Sequence, residues 1–334
     1  MIARTAARWQ TSDWQQVMKT MIRSVDELCD ALALDPATLD LDPAAQQAFA
    51  LRVPRPFVAL MEKGNSRDPL LLQVLPQAQE MQPVPGFVAD PLQEASFNPV
   101  PGLVHKYRGR VLLISSPACA VHCRYCFRRH FPYQANTPGL ADWQQALDYI
   151  AADPSIVEVI LSGGDPLSAS DDYLAGLISR LAAIDHVSYL RIHTRLPVVV
   201  PQRVTDGLLQ ALTGSRLQPT MVIHANHAQE LSADVAESLA LLRQAGIRLL
   251  NQSVLLAGVN DSEASLRALL ERLHQIQVEA YYLHLLDAVE GAAHFQLPQA
   301  RALALYEALR RQLPGFMLPR LVRETPHAPY KTWL

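Results

Sequence analysis

The sequence predicts an α/β fold in which a partial parallel (β/α)6 barrel follows an N-terminal helical, proline-rich extension. From residue 110 onward, short apolar runs alternate with helical stretches of ten to fifteen residues, which is typical of parallel βαβ units. Before that point prolines are dense and little regular structure is expected. We therefore expect residues 1–95 to form a wrapping segment and residues 96–334 to form the barrel with a C-terminal segment.

The extension contains two predicted helices. An apolar stripe predicts the first over residues 12–34, with Ser12 or Asp13 as its N-cap. The second is expected over residues 43–51. Cys29 falls within the stripe of the first helix, so we expect it to be a buried structural residue.

Six strands and six helices are predicted in alternation through the barrel. The strands are expected at residues 110–115, 157–163, 188–194, 220–225, 248–256 and 280–286. The helices are expected near residues 141–152, 171–184, 203–213, 232–245, 262–276 and 298–312. In such folds the chemistry gathers at the carboxyl ends of the strands, so polar residues that follow each strand are the first candidates for a site.

Composition excludes several classes of protein. Apolar residues make up 49% of the chain and charged residues 18%, which is typical of a globular enzyme. A net charge of −3 gives no electrostatic case for binding nucleic acid or an anionic membrane. There is no apolar stretch long enough to span a bilayer and no signal-peptide core at the N-terminus. Clustered free cysteines favour a reducing, cytoplasmic location.

Three cysteines follow the first predicted barrel strand in the run PACAVHCRYCFRRHFPY. Cys119, Cys123 and Cys126 are close enough to hold three corners of a cubane iron–sulfur cluster, which leaves one iron without a protein ligand. That iron could bind the amino and carboxylate groups of S-adenosylmethionine (SAM), and the spacing resembles the radical SAM superfamily. A chance cluster and a zinc knuckle also fit the spacing, and in the zinc knuckle His122 or His130 would supply the fourth ligand.

Polar residues follow the later strands as well. The segment LSGGDPL carries two glycines that permit close backbone approach and an aspartate that can accept from an ammonium. A His-x-Asn-His cluster and a glutamine in an apolar strand come next, and Asp287 follows the sixth strand. A buried aspartate there is either a helix cap or internal ion pair, or a site for a substrate cation.

Seven ordered segments together resemble the lysine 2,3-aminomutase family of radical SAM enzymes over roughly residues 95–331. These segments are NPVPGLVHKYRGRVLL, CAVHCRYCFRRHF, ILSGGDPL, LRIHTRLPVVVPQR, VIHANHAQE, NQSVLLAGVND and YYLHLLDAVEGAAHF. The resemblance implies a [4Fe–4S] cluster, SAM, and pyridoxal 5′-phosphate carried on a lysine. It also implies the isomerisation of L-lysine to β-lysine.

The resemblance assigns roles to individual residues. Cluster ligands correspond to Cys119, Cys123 and Cys126, and the segment for the SAM amino group corresponds to Gly163, Gly164 and Asp165. Residues near SAM correspond to His224 and Asn226, and those around the pyridoxal phosphate to Lys106, Arg110, Gln252 and the carrier Lys331. The substrate carboxylate corresponds to Arg128, and its distal ammonium to Asp287 and Glu324.

The chain departs from the larger family members near its C-terminus. They have a glycine-rich loop before the cofactor lysine, where this chain has PHAPY, and an aspartate in place of Glu324. They also continue into a segment with zinc-binding cysteines, whereas this chain stops at Leu334. These differences resemble the shorter branch of the family, whose bacterial members make (R)-β-lysine for the modification of elongation factor P.

The expected partners are the substrate L-lysine, an electron donor and, indirectly, elongation factor P with its lysyl ligase. A competing interpretation is a related aminomutase that acts on glutamate or arginine. Glutamate would call for a distal cation where this chain has Asp287 and Glu324. Two more hypotheses stay open at this point: a radical SAM enzyme without pyridoxal phosphate, and a non-catalytic iron–sulfur protein.

Overall fold

The computed structural model describes residues 9–136 and 143–334. Within these residues the sheet has nine strands, hydrogen-bonded to one another in chain order. They are β1 Leu103–Tyr107, β2 Arg110–Ser116, β3 Glu158–Gly163, β4 Tyr189–Thr194, β5 Gln218–His224, β6 Arg248–Val254, β7 Glu279–His284, β8 Arg320–Arg323 and β9 Thr332–Trp333. The six strands predicted for the barrel are therefore confirmed as β2 to β7.

Strand direction divides the sheet into a parallel centre and two antiparallel edges. Strands β2 to β8 are parallel, while β1 and β9 run antiparallel to their neighbours. The predicted α/β fold, with six strand–helix units, is confirmed. Strand β8 adds a seventh parallel strand that the sequence did not reveal, because its four residues are too short to show a periodic pattern.

The N-terminal helices are shorter than the sequence predicts. They are α1 Thr11–Lys19, α2 Val25–Leu32, α3 Pro43–Ala48, α4 Arg55–Val58 and α5 Pro69–Leu72. The single helix predicted over residues 12–34 is wrong, because Ile22 leaves the helical path to exchange two backbone hydrogen bonds with Val53, at 2.9 and 3.0 Å. Ser24 then caps α2 by accepting from the Glu27 amide.

The remaining helices alternate with the strands. They are α6 Tyr133–Asn136, α7 Gln144–Ala152, α8 Asp171–Ala182, α9 Leu196–Val199, α10 Asp206–Thr213, α11 Ala233–Gln244, α12 Glu263–Gln275 and α13 Gln299–Gln312. The six predicted barrel helices correspond to α7, α8, α10, α11, α12 and α13, though the first predicted one begins within residues 141–142, outside the described part. None of the helices in the described ranges is long and apolar enough to cross a membrane.

The extension packs on the barrel through a shared core. Phe57 and Leu70 of the extension are fully buried in the same apolar cluster as Leu113 and Ile192 of the sheet. Cys29 is buried there too, at 1% exposure, as its place in the apolar stripe predicts. Burial of this kind ties the segment before residue 96 to the wall of the barrel.

A tight hairpin joins β1 to β2 and brings two predicted site residues together. Gly109 in the turn has φ +78°, a conformation that residues with a side chain rarely adopt. Lys106 and Arg110 on either side of the turn both line a central cavity, and so does Thr332 of β9. Because both edge strands reach one cavity, the sheet must curl around it.

Candidate active site

A cavity of about 1120 Å³ is lined from Arg110, the first residue of β2, to residues that follow the carboxyl ends of the parallel strands. Sites for one small ligand commonly measure ~300–1,000 Å³, so this cavity has room for more than one. Every predicted site residue except Asn226 lines it: Lys106, Arg110, Cys119, Cys123, Cys126, Arg128, Gly163, Gly164, Asp165, His224, Gln252, Asp287, Glu324 and Lys331.

The cysteine loop between β2 and α6 brings all three thiols to the cavity wall. The Cys126 amide donates to the Cys123 carbonyl at 3.0 Å, and Arg52 donates to the Cys119 carbonyl at 3.0 Å. Burial raises the pKa of Cys119, and it raises the pKa of Cys126 to about 11; the neighbouring cysteines add to both shifts. These thiols are therefore weak acids alone, and would ionise fully when bound to a metal centre.

The geometry of the loop bears on which metal centre it could hold. Across residues 9–136 and 143–334, no three His, Cys, Asp or Glu side chains are grouped to hold a single metal ion. A mononuclear zinc site requires four ligands that converge on one point. A cubane cluster does not, because each of its three cysteines binds a different iron. The three cavity-facing thiols thus fit the cluster chemistry.

Gly163 and Gly164 are required by close contact with the end of β2 and with the start of the cysteine loop, respectively. A Cβ atom on Gly164 would lie 2.5 Å from the Ala118 carbonyl oxygen, and one on Gly163 would lie 2.8 Å from that of Ser116. Gly163 also has φ +115°. The two glycines therefore let the end of β3 close against the loop, while their backbone remains on the cavity wall.

The Asp165 carboxylate already has four protein donors, and its predicted contact with the SAM amino group stays a prediction. It is buried and accepts from the Leu167 amide, the Thr194 hydroxyl, and the amides of Arg195 and Leu196, at 2.6–3.0 Å. These four donors occupy its acceptor sites. Asp165 thus fastens the end of β3 to the end of β4, and the cavity receives this segment mainly as backbone.

His224 and Asn226 belong to one buried polar network, although only His224 lines the cavity. The His224 Nε2 atom lies 2.9 Å from the Tyr125 hydroxyl, and the Asn226 amide donates to that hydroxyl at 2.7 Å. Asn226 is fully buried and also donates to Gln73 at 3.0 Å. Burial lowers the pKa of His224 to about 3, so its imidazole is neutral. Asn226 does not line the cavity and contacts the site through Tyr125 and Gln73.

Arg195 is a site residue that sequence reasoning missed. It directly follows β4 and is 6% exposed. Its Nη1 atom donates to the Cys123 sulfur at 2.8 Å and to the Tyr125 hydroxyl at 2.9 Å. Its Nη2 atom donates to Gln73 and Glu230, both at 2.7 Å. Its position immediately after a predicted strand was the signal that could have identified it.

Arg128 is already held by a second missed residue, Glu94. The Nε and Nη2 atoms of Arg128 donate to the two Glu94 oxygens at 2.7 Å each, and Nη1 donates to the Ser162 hydroxyl at 3.0 Å. A guanidinium has five N–H donors, so two are left without a partner among the hydrogen bonds of the described residues. The bidentate contact fixes the plane of the guanidinium and leaves donors for a further anion.

Two lysines far apart in the chain meet at one carboxylate. Lys106 donates to one Glu324 oxygen at 2.9 Å, and the Tyr107 hydroxyl donates to the same oxygen at 3.0 Å. The Lys331 ammonium forms an ion pair with the other oxygen. Glu324 therefore connects the hairpin of β1 and β2 to the C-terminal segment.

Asp287 and Lys331 have mutually dependent pKa values. Burial raises the pKa of Asp287 to about 6, and the charges of Lys331 and Lys106 act against that rise. Burial lowers the pKa of Lys331 to about 8, and the charge of Asp287 acts against that fall. A buried amine with this pKa supplies a neutral nucleophile near physiological pH far more readily than an exposed lysine does.

Three further side chains complete the wall. Gln252 of β6 lies in register with His224 of β5 and faces the cavity. Burial lowers the pKa of His193 and of His284 well below their usual value, so both imidazoles are neutral. The two histidines lie near the ends of the predicted strands SYLRIHT and AYYLHLL, and that placement could have identified them.

The chain matches the Radical SAM superfamily model over residues 113–270. That range holds the cysteine loop and the ends of β3 to β6, and membership implies a [4Fe–4S] cluster and SAM. Among solved structures, a radical SAM methyltransferase from Sphaerobacter thermophilus aligns with 66% of this chain and 68% of its own, at a TM-score of 0.46 and 17% identity. That similarity is too distant to bear on the reaction.

Curated relatives match nearly the whole chain. An L-lysine 2,3-aminomutase from Haemophilus influenzae is 47% identical over 97% of this chain and 96% of its own. One from Escherichia coli is 46% identical over 96% and 94%, and one from Acetoanaerobium sticklandii is 36% identical over 96% and 78%. These matches cover nearly the whole chain, which carries both the cysteine loop and the C-terminal lysine. The chain belongs to the lysine 2,3-aminomutase family of radical SAM enzymes.

Proposed function

We propose that the protein is an L-lysine 2,3-aminomutase that converts L-α-lysine to (R)-β-lysine. The observation that carries this proposal is the shared cavity, which brings a three-cysteine loop and a partly buried lysine to the wall of one space. The high identity to three proteins of that name supports it. An isomerase of this type must hold a radical source and an amine carrier next to the same substrate.

The residues fit three bound groups. Cys119, Cys123 and Cys126 would bind three irons of the cluster, with the fourth left for SAM. Lys331 would carry pyridoxal phosphate, because its amine is buried on the cavity wall with a lowered pKa. When bound, the cluster and SAM supply a radical that takes and returns a hydrogen atom, and pyridoxal phosphate supplies the ring through which the amino group migrates.

Cations near Lys331 fit the phosphate of that cofactor. Lys106 and Arg110 line the cavity on both sides of the hairpin turn, and Gln252 adds an amide. Lys106 gives Glu324 a single hydrogen bond, which leaves further donors on its ammonium. Phosphate oxygens are suitable acceptors for such clustered charged donors.

The charges across the cavity fit lysine as the substrate. Arg128 retains two N–H donors for the carboxylate, while Asp287 and Glu324 offer two carboxylates for the distal ammonium. These residues would hold the substrate by both ends and so place C3 in a fixed position, from which water is excluded. An unpaired buried charge costs roughly 3–5 kcal/mol, so an amino acid without a distal ammonium would bind poorly.

We further propose that the product is used to modify elongation factor P through its lysyl ligase, and that a separate protein donates the electron. The family resemblance to the shorter branch supports this use. The chain is also more similar to the H. influenzae and E. coli proteins, at 47% and 46% identity, than to the longer A. sticklandii protein, at 36%.

The test is an anaerobic assay of reconstituted protein with L-lysine, SAM, pyridoxal phosphate and a reductant, analysed for β-lysine by chiral chromatography and mass spectrometry. We expect (R)-β-lysine to form. Parallel reactions with L-glutamate and L-arginine test the competing substrates. Cleavage of SAM to 5′-deoxyadenosine without β-lysine would retain the radical chemistry and overturn the substrate or pyridoxal phosphate assignment.

A further inference from the structure

Arg195 donates a hydrogen bond to the sulfur of one of the three loop cysteines. Its Nη1 atom lies 2.8 Å from the Cys123 sulfur. The sulfurs of Cys119 and Cys126 have no such hydrogen bond from a charged side chain in the described ranges, and Arg52 reaches the backbone carbonyl of Cys119 instead of its sulfur. The three sulfurs therefore differ in their hydrogen bonds from charged side chains, while the charges of Arg128 and Arg129 act on Cys126 and that of Arg52 acts on Cys119.

The surroundings of Arg195 fix this contact. Glu230 is fully buried and accepts from Arg195 Nη2 at 2.7 Å, while Gln73 accepts from the same atom at 2.7 Å. The guanidinium also lies 5.3 Å from the centroid of the Phe57 ring. A buried, hydrogen-bonded network of this kind holds one geometry, because moving any member leaves a polar group unsatisfied.

The Glu230 carboxylate is in turn held by three further donors. Its Oε1 atom accepts from the amides of Asn226 and His227 at 2.8 and 3.0 Å, and from Gln73 Nε2 at 3.2 Å. In Glu230→Gln the amide oxygen can keep these three donors, but the amide nitrogen then faces Arg195 Nη2 and cannot accept from it, so the variant removes both the counter-charge and this hydrogen bond. This allows the charge of Arg195 and the charge of Glu230 to be altered separately.

We propose that Arg195 is a positioning residue that raises the reduction potential of the cluster by donating to the Cys123 sulfur, and that Glu230 moderates this effect. The inference rests on the proposed [4Fe–4S] cluster. The couple takes up one electron from the donor, and no bond breaks. Because the reduced cluster is more negative, a cationic donor at a sulfur stabilises it more than the oxidised cluster.

The test is a potentiometric titration of the reconstituted protein without SAM, in which electron paramagnetic resonance measures the reduced cluster and iron content is measured in parallel. We expect Arg195→Met combined with Glu230→Gln to lower the ratio of reduced to oxidised cluster about tenfold at a fixed potential. For a one-electron couple that corresponds to about 59 mV. Glu230→Gln alone should shift the potential in the opposite direction, because Arg195 loses its counter-charge.

A matched control is available in the buried pair of Arg203 and Asp171, which lie 2.8 Å apart and do not line the cavity. Arg203→Met combined with Asp171→Asn should leave the potential at the wild-type value. If the double Arg195 variant binds no iron, the single Glu230→Gln variant still tests the direction of the shift in reduction potential. Unchanged potentials in iron-loaded variants would overturn the proposal, whereas a wild-type protein that binds no cluster would overturn the proposed function instead.

Discussion

The two ends of the cavity hold their charges in different ways. At the cysteine end, defined by Cys119, Cys123 and Cys126, the neighbouring Arg195 has four partners within 2.9 Å. At the lysine end, defined by Lys106, Asp287, Glu324 and Lys331, two ammonium groups share one carboxylate. The first arrangement is a buried hydrogen-bonded network, and the second has ion pairs that a charged ligand could replace.

This difference matches the role proposed for each end. A cluster requires ligands that do not move, and buried networks of several hydrogen bonds supply rigidity. A substrate with an ammonium must instead displace a cation that already occupies its site, so the contacts there must be exchangeable. Burial moves the pKa of Asp287 to about 6 and the pKa of Lys331 to about 8, so both groups can exchange a proton near neutral pH.

The largest effect is expected from a variant that disrupts only the cysteine end. Cys126→Ala should abolish cluster binding, because only two thiolates remain. Iron and sulfide analysis after anaerobic reconstitution checks this. Cys29→Ala is the matched control: its thiol is buried in α2 and does not line the cavity, so iron content should be unchanged. Wild-type iron content in Cys126→Ala would remove that residue from the ligand set.

The next largest effect is expected from a variant that disrupts only the lysine end. Lys331→Met should eliminate the covalent pyridoxal phosphate adduct, which borohydride reduction followed by mass spectrometry detects, while iron content stays at the wild-type level. Lys63→Met, at an exposed position, should retain the adduct. An adduct of unchanged yield in Lys331→Met would assign the cofactor to another lysine.

Asp287→Asn tests whether the lysine end recognises the substrate. Loss of the carboxylate leaves the distal ammonium uncompensated, at a cost of roughly 3–5 kcal/mol, so kcat/KM for lysine should fall by about a hundredfold or more. SAM cleavage and iron content should persist. Glu290→Gln, three residues later and exposed, serves as the control. Unchanged turnover of lysine in Asp287→Asn would exclude that residue from the site.

Glu94→Gln tests whether Arg128 must be oriented in order to bind a carboxylate. The variant loses one charge-assisted hydrogen bond worth about 1.5 kcal/mol, so KM for lysine should rise about tenfold. Ser162→Ala removes a neutral contact to the same guanidinium and should have a smaller effect. Equal effects of the two variants on KM would contradict a special role for the bidentate pair.

The smallest expected effect is a shift in pH dependence. The Lys331 ammonium is ion-paired with the Glu324 carboxylate, which favours the charged amine. Glu324→Gln should therefore lower the pKa of Lys331 from its value of about 8. The midpoint pH for adduct formation with pyridoxal phosphate should then move to lower pH by about one unit. Spectrophotometric titration of adduct formation checks this, and a midpoint displaced to higher pH would contradict it.

The six strand–helix units and the cysteine loop could be predicted because both are local. Alternating periodicity needs only a few neighbouring residues, and three cysteines within eight positions must lie together in any compact loop. The prediction of a single helix over residues 12–34 was wrong because the helix is interrupted by long-range pairing between Ile22 and Val53. Strand β8 could not be predicted because its four residues are too few to show a periodic pattern.

The sequence by itself determined which residue types could do the chemistry, and the tertiary structure decided their partners. Lys106 and Glu324 are 218 positions apart, and Arg195 and Cys123 are 72 apart, yet each pair is in contact. No local pattern encodes such pairs, because they depend on how far the sheet curls and on which side chains fill its mouth. For the same reason, only the structure shows that Glu94 binds Arg128. It also shows that Asp165 accepts from donors in β4 and nearby residues.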